Sequence, residues 1–186
     1  LLGENQSGKI SEIGFNLYHD LLKRTIHAIK NNKQLDIKEA LTEEVEINPG
    51  IACIIPDTYL PDVHERLILY KRIASANNEE ELKDLKIEMI DRFGLLPDST
   101  SNLFESSSLK NYSNDIGVLK INIYDDKAEI TLNEKNSIDA SKIINLIQTQ
   151  PTQYQLKNQN TIVINEYMEP DMSRISKISK LLSTIA

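Results

Sequence analysis

The amino-acid sequence predicts an α+β fold. A helical N-terminal half, with a helical pair at 62–76 and 79–93, is expected to pack with a C-terminal region in the order strand-strand-helix-strand-strand-helix. Two observations predict this arrangement. Up to residue 117 apolar residues recur mostly every three or four positions, which is the period of an amphipathic helix. From residue 118 apolar and polar residues alternate, which is the period of a half-buried strand.

The first 44 residues are predicted to be separate from residues 45–186. Residues 11–32 are expected to form an amphipathic helix, and residues 34–44 a polar connection rich in Glu. The strand signal at 45–55 is interrupted by Pro49, which cannot donate to a sheet ladder, so we expect an edge strand or two short pieces. The apolar stripe of the first helix consists of Tyr18, Leu21, Leu22, Thr25, Ile26 and Ile29.

Helix 62–76 begins after a turn between two prolines. The Asp62 carboxylate can accept a hydrogen bond from the first turn of the helix and so cap it. One apolar face runs the length of the helix, and we therefore assign the helix mainly to the core. The face consists of Val63, Leu67, Tyr70 and Ala74, and is widened by Leu69 and Ile73.

Helix 79–93 has signals at both ends. Asn78 and Glu81 have the spacing of a capping box. Gly94 can adopt the positive φ that ends a helix, after which Leu95 and Leu96 are expected to fold back onto the core. The predicted buried face consists of Leu82, Leu85, the stem of Lys86, Met89, Ile90 and Phe93.

The opposite side of helix 79–93 carries charge. A charged stripe is commonly a solvated helix face, but it can also be an interface for a basic protein surface. Arg92 favours an interface, since arginine is enriched there and pairs bidentately with carboxylates. The residues alone leave both interpretations open. The stripe consists of Glu81, Asp84, Glu88, Asp91 and Arg92.

Residues 45–186 are predicted to contain a helical part at 56–117 and an α/β part at 118–186. A third helix is expected to end at Gly117. Hairpins then follow at 118–132 and 154–164. Ser137 is expected to cap the helix between them, and Pro170 to stand in the first turn of the last helix.

Composition restricts the function classes. A net charge of −7 argues against a large surface that follows nucleic-acid phosphates, and favours a protein partner with a basic face. A single cysteine, Cys53, suits a reducing cytoplasm. Gly3, Gly8 and Lys9 match most of a phosphate-binding loop, but Ile10 stands where Ser or Thr must hold Mg²⁺. No other catalytic or metal-binding motif is present in the sequence, so we expect no catalysis by this chain, and no membrane span.

Several motifs carry a family resemblance. Residues 59–76 read YLPDVHERLILYKRIASA, Glu81 and Leu82 follow, and residues 90–97 read IDRFGLLP. This pattern resembles the C-terminal domain of bacterial transcription-repair coupling factors. Residues 1–18, which contain LLGENQSG and IGFNLY, look like the segment that leaves the DNA-translocase motor of that family. Beyond residue 117 only the layout of strands and helices is similar.

The resemblance implies that residues 1–44 are the tail of the motor plus a linker helix and that 45–186 is a C-terminal regulatory domain. The implied parent is an ATP-dependent DNA translocase, with ATP and Mg²⁺ as its cofactors. It binds double-stranded DNA, removes stalled RNA polymerase from damaged DNA and recruits nucleotide excision repair. No cofactor is expected in this chain itself.

The resemblance also implies a role and a site for the C-terminal domain. In the family this domain packs on an N-terminal module that is similar to the helicase subunit of the excision nuclease. That contact masks the surface for the damage-recognition ATPase. The clamp uses the acid, acid and arginine of the second helix, which correspond here to Glu88, Asp91 and Arg92, with Glu81 and Asp84 as flanking candidates.

Two other functions compete with this expectation. One is nucleotide hydrolysis by the near-match to a phosphate-binding loop. The other is a nucleic-acid-binding accessory module of a helicase-like protein, for which acidic net charge predicts weak binding. Its basic residues are Lys23, Arg24, Lys30 and Lys33, with Arg174, Lys177 and Lys180 near the C-terminus.

Overall fold

A computed structural model describes residues 45–186. The predictions for 1–44, which include the near-match to a phosphate-binding loop and the four N-terminal basic residues, lie outside the described residues. The fold is α+β, as predicted. In chain order, the elements are β1 (Glu46–Asn48), α1 (Val63–Ser75), α2 (Glu79–Phe93), α3 (Asp98–Asp115), β2 (Val118–Ile123), β3 (Ala128–Leu132), α4 (Ala140–Thr149), β4 (Tyr154–Asn158), β5 (Thr161–Ile164) and α5 (Ser173–Ile185).

The five described strands form one sheet in the order β1-β2-β3-β5-β4. β1 is a short edge strand that runs parallel to β2, with Ile47 opposite Ile121. The other pairs are antiparallel and include the two predicted hairpins. Pro49 directly follows β1, so the strand ends where its ladder would lose a donor.

The core has two parts. One cluster lies between the sheet and α3, α4 and α5, and includes Ile121, Ile130 and Leu182. The other lies among α1, α2 and α3, and includes Leu69 and Met89. Because α3 contributes to both clusters, it joins the helical layer to the sheet layer. Its contributions are Phe104 to the helical cluster and Leu109 to the sheet cluster.

The predicted caps of the helical pair are confirmed. The Asp62 carboxylate accepts a hydrogen bond from the Glu65 backbone N–H at 2.7 Å. The Asn78 side chain accepts one from the Glu81 N–H at 2.9 Å, and Gly94 follows α2 with a φ of 89°. The cap predicted for α4 was wrong by two residues. Asp139, not Ser137, accepts from the Ser141 N–H at 2.8 Å.

The buried face predicted for α1 was only partly correct. Leu69, Ile73 and the half-buried Tyr70 pack in the helical cluster as expected. Val63 and Leu67 do not, since Val63 is 60% exposed and Leu67 is 46% exposed. Both sides of α1 are apolar, so the period of its apolar residues does not determine which side faces inward. Leu95 also differs from the prediction: it is 85% exposed, and only Leu96 packs against the core.

Candidate docking face

The helices α1 and α2 run antiparallel, and charged side chains connect them along one side. Glu65, early in α1, pairs with Arg92, late in α2. Arg72, late in α1, pairs with Glu88 in the middle of α2. Glu88 and Arg92 are four residues apart and pair with each other at 3.1 Å. Arg72, Glu88, Arg92 and Glu65 therefore form one ion-pair chain with alternating charge.

Glu88 occupies the centre of the ion-pair chain. The Arg72 guanidinium donates from Nη1 to Oε1 at 2.7 Å and from Nη2 to Oε2 at 2.6 Å, which is a bidentate pair. Arg92 donates from Nη1 to the same Oε1 at 3.1 Å. The hydrogen bonds from Arg72, and secondarily the one from Arg92, lower the pKa of Glu88 from 4.5 to about 2. The pairing with Glu88 also raises the pKa of Arg72.

Arg92 is held from several sides. Its guanidinium pairs with Glu65 as well as Glu88, and its Cζ lies 4.6 Å from the centroid of the Phe93 ring. The Phe93 ring in turn packs edge-on against Tyr59, with centroids 6.1 Å apart. The Tyr59 hydroxyl donates to the carbonyl of Gly94 at 2.9 Å, which fixes the end of α2. These contacts therefore hold the charged side chain of Arg92 in a fixed position at the end of α2.

The five residues of the predicted stripe have three different roles. Glu88 and Arg92 belong to the ion-pair chain. Glu81 belongs to the cap, where its carboxylate accepts from the Asn77 N–H at 2.9 Å. Asp84 and Asp91 are exposed, and the side chain of neither has a hydrogen bond or ion pair with another described residue. These two carboxylates are therefore the ones that are available to a partner.

Sequence reasoning missed the contribution of α1. Glu65, Ile68 and Arg72 have the three- and four-residue spacing of one helix stripe, and that stripe lies beside the charged side of α2. Ile68 is 45% exposed there. The spacing of these three residues is the sequence signal that could have predicted a second charged stripe on α1. We refer to Glu65, Ile68 and Arg72 on α1 with Asp84, Glu88, Asp91 and Arg92 on α2 as the docking face.

The other candidate sites have less support in the structure. Arg174, one of the basic residues of the nucleic-acid alternative, is fully buried and cannot contact a phosphate backbone. Cys53 is half-buried. Among residues 45–186, no group of His, Cys, Asp and Glu is arranged to hold a metal ion. None of the described helices combines the length and the apolar character that crossing a membrane requires.

The fold and the face together define a class of protein: an α+β domain with a charged helical surface at one side of its two-helix layer. Comparison with known proteins makes the class specific. The chain belongs to the transcription-repair coupling factor family, because the sequence model of the TRCF domain matches residues 50–143.

Individual relatives agree with this family. The chain is 34% identical to the transcription-repair-coupling factor of Escherichia coli (strain K12) over 182 residues, which cover 98% of the chain and 16% of the relative. It is 36% identical to the corresponding protein of Haemophilus influenzae over 186 residues, which cover 100% of the chain and 16% of the relative. The chain thus spans about one sixth of the length of these relatives.

A solved structure supports the fold. A crystal structure of the C-terminal domain of a transcription-repair coupling factor matches with a TM-score of 0.59 and 21% sequence identity. The match covers 76% of this chain and 95% of that one. At this identity the likeness concerns the arrangement of the helices and strands, which is the arrangement described above.

Proposed function

We propose that this chain is the C-terminal regulatory domain of a transcription-repair coupling factor and that it keeps the parent protein inhibited. The docking face binds an N-terminal excision-nuclease-like module of the same protein and masks that module until release. The observation that carries this proposal is a pair of exposed carboxylates, Asp84 and Asp91, which lie beside the ion-pair chain and have no ion pair with another described residue. A surface of this kind suits a basic protein partner.

The ion-pair chain makes the docking face suitable for a reversible contact. Glu88 and Arg92 are held by each other and by α1, so little side-chain freedom remains to be lost on binding. Contacts between domains of one chain are typically modest and polar, on the order of 600–1,500 Å². Their coupling free energies are commonly about 1–3 kcal/mol, which a second partner can overcome.

We further propose a role for the whole protein, for which membership of the family is the support. In this proposal the parent is an ATP-dependent DNA translocase that uses ATP and Mg²⁺. It binds double-stranded DNA, removes stalled RNA polymerase at damage, and recruits the damage-recognition ATPase of excision repair. The parent acts in the cytoplasm without a membrane partner. In this proposal residues 1–44 belong to the tail of its motor and a linker, and 45–186 is the regulatory domain.

The proposed contact can be tested with Asp91→Lys. We expect the 186-residue chain to bind the purified N-terminal module in isothermal titration calorimetry, and Asp91→Lys to weaken binding at least tenfold. Asp91 is exposed and has no ion pair with a described residue, so this change leaves the internal contacts of α2 intact. In the full-length protein the same change is expected to raise the ATPase rate.

Glu134→Lys is the matched control, because it changes the net charge equally at an exposed turn after β3. It is expected to bind like the wild type. Equal weakening by both variants indicates that only net charge matters and contradicts a specific docking face. Wild-type binding by Asp91→Lys contradicts the proposed function outright.

A further inference from the structure

We propose that Arg72 of α1 is an internal counter-ion that competes with the docking partner for Glu88. It holds the Glu88 carboxylate while the domain is undocked, and the partner's cation has to share or displace it. Arg72 thus weakens docking and keeps the contact releasable. This inference rests on the proposed function, since it concerns regulation of the same face.

The geometry of Glu88 leaves little room for an additional cation. A carboxylate offers about four lone-pair positions. Three are used here, because Oε1 accepts from both Arg72 and Arg92, and Oε2 accepts from Arg72. An incoming arginine cannot form a bidentate pair with Glu88 unless Arg72 leaves. Displacement is feasible because the side chains of Arg72 and Glu88 are 43% and 34% exposed.

The local charge leads to the same conclusion. The two arginines and two glutamates of the ion-pair chain sum to zero, so a basic partner gains little net attraction from Glu88 while Arg72 is in place. Asp84 and Asp91 supply the attraction at the outer side of α2. Removal of the Arg72 charge adds one unit of negative charge at the centre of the docking face.

Arg72 is not needed to keep Glu88 in position. Arg92 also contacts Glu88, and Arg92 is itself held by Glu65 and by the face of the Phe93 ring. Without Arg72 these contacts remain, and Glu88 keeps one arginine partner with Oε2 free. We therefore expect removal of Arg72 to strengthen docking, which is the opposite of what loss of a positioning residue does.

Calorimetry of the 186-residue chain with the N-terminal module tests this inference. Arg72→Gln is expected to tighten binding roughly two- to fivefold, the range for an exposed ion pair. Arg72→Lys retains the charge but not the bidentate geometry, so its affinity for the module is expected to lie between those of the wild type and Arg72→Gln. In the Glu88→Gln background most of the tightening is expected to disappear, because the carboxylate that Arg72 occupies is gone. Thermal unfolding of each variant establishes that it is folded.

The outcomes separate the inference from the function it rests on. If Arg72→Gln weakens binding while Asp91→Lys also weakens it, the docking face stands and Arg72 is a positioning residue, which overturns the inference alone. An unchanged affinity of folded Arg72→Gln overturns it as well. If the wild type does not bind, or Asp91→Lys binds as the wild type does, the proposed function fails and the inference with it.

Discussion

Arg174 in α5 donates five hydrogen bonds and Arg72 in α1 donates two, but Arg174 is fully buried and the Arg72 side chain is 43% exposed. Arg174 donates mainly to backbone carbonyls, whereas Arg72 donates to a side-chain carboxylate. A buried guanidinium without its acceptors is costly, while an exposed one can exchange its partner for water or another protein. The comparison separates an arginine that holds the fold together from one that can take part in regulation.

Arg174 connects three segments that are distant in sequence. Its acceptors are the carbonyls after β1, the turn between β2 and β3, and the loop that precedes α5. All three nitrogen atoms of the guanidinium are used. The acceptors are Pro49 O, Gly50 O, Asp125 Oδ1, Met168 O and Glu169 O, at distances of 2.7–3.3 Å.

The largest expected effect is that of Arg174→Met. Methionine fills a similar volume but leaves buried carbonyls without donors, so we expect a loss of about 3–5 kcal/mol in the free energy of unfolding. Urea denaturation followed by circular dichroism measures it. Lys177→Met on the same helix removes the half-exposed pair with Glu166 and an exposed hydrogen bond to the Tyr167 carbonyl, and is expected to cost about 1 kcal/mol or less. Equal costs for the two variants contradict the distinction between buried and exposed networks.

A smaller effect is expected at Gly50, which lies against Arg174. Its φ is +69°, and an added Cβ meets the Ile123 carbonyl oxygen at 2.5 Å and Arg174 Nη1 at 2.7 Å. Gly50→Ala is therefore expected to cost about 3 kcal/mol, because backbone strain and the clash act together.

Gly94→Ala isolates the strain from the clash. Gly94 has a φ of +89°, but nothing lies within 4 Å of its added Cβ. We expect a cost of about 1–2 kcal/mol from the backbone conformation alone. Chemical denaturation of both variants gives the difference, and a Gly94→Ala cost that matches or exceeds the Gly50→Ala cost shows that the contact with the Arg174 region is unimportant.

The sequence predicted the elements that local signals specify. In α2 the cap at Asn78, the apolar period and the positive φ at Gly94 all agree, and its buried face was correct. In α1 two adjacent apolar stripes compete, and only packing against α2 and α3 selects the side with Leu69 and Ile73. The local sequence pattern therefore identifies the buried face of a helix that has one apolar face, but not of a helix that has two.

Contacts between residues that are distant in sequence explain the features that the sequence did not predict. Arg174 has a spacing that groups it with Lys177 and Lys180, but its acceptors include Pro49, 125 residues away. The pairs Glu65–Arg92 and Arg72–Glu88 depend on how α1 is rotated against α2. Helical geometry places Glu88 and Asp91 on the same charged side of α2. It cannot show that, among the described residues, Glu88 has ion-pair partners and Asp91 has none.

The smallest expected effect is a pH dependence of the free energy of unfolding, which Glu88 contributes through its ion pairs. The pKa of Glu88 is lowered from 4.5 to about 2 by Arg72 and Arg92. The ion-pair chain therefore contributes its full stability above pH 4.5, and loses it as the pH falls from about 4.5 to about 2. Since Glu88 is 34% exposed, solvent screening limits the contribution to about 1 kcal/mol or less.

Glu88→Gln is expected to be less stable than the wild type at pH 6, and the difference is expected to shrink to near zero at pH 2. Urea denaturation at both pH values measures this difference. Asp91→Asn removes a carboxylate that has no ion pair with a described residue, so we expect its stability to stay within about 0.5 kcal/mol of the wild type at pH 6. An equal deficit of Glu88→Gln at pH 2 and pH 6 means that its loss is one of packing. In that case the ion-pair chain is not the source of the stability. The Arg72–Glu88 pair that a docking partner must break is then weaker than its bidentate geometry indicates.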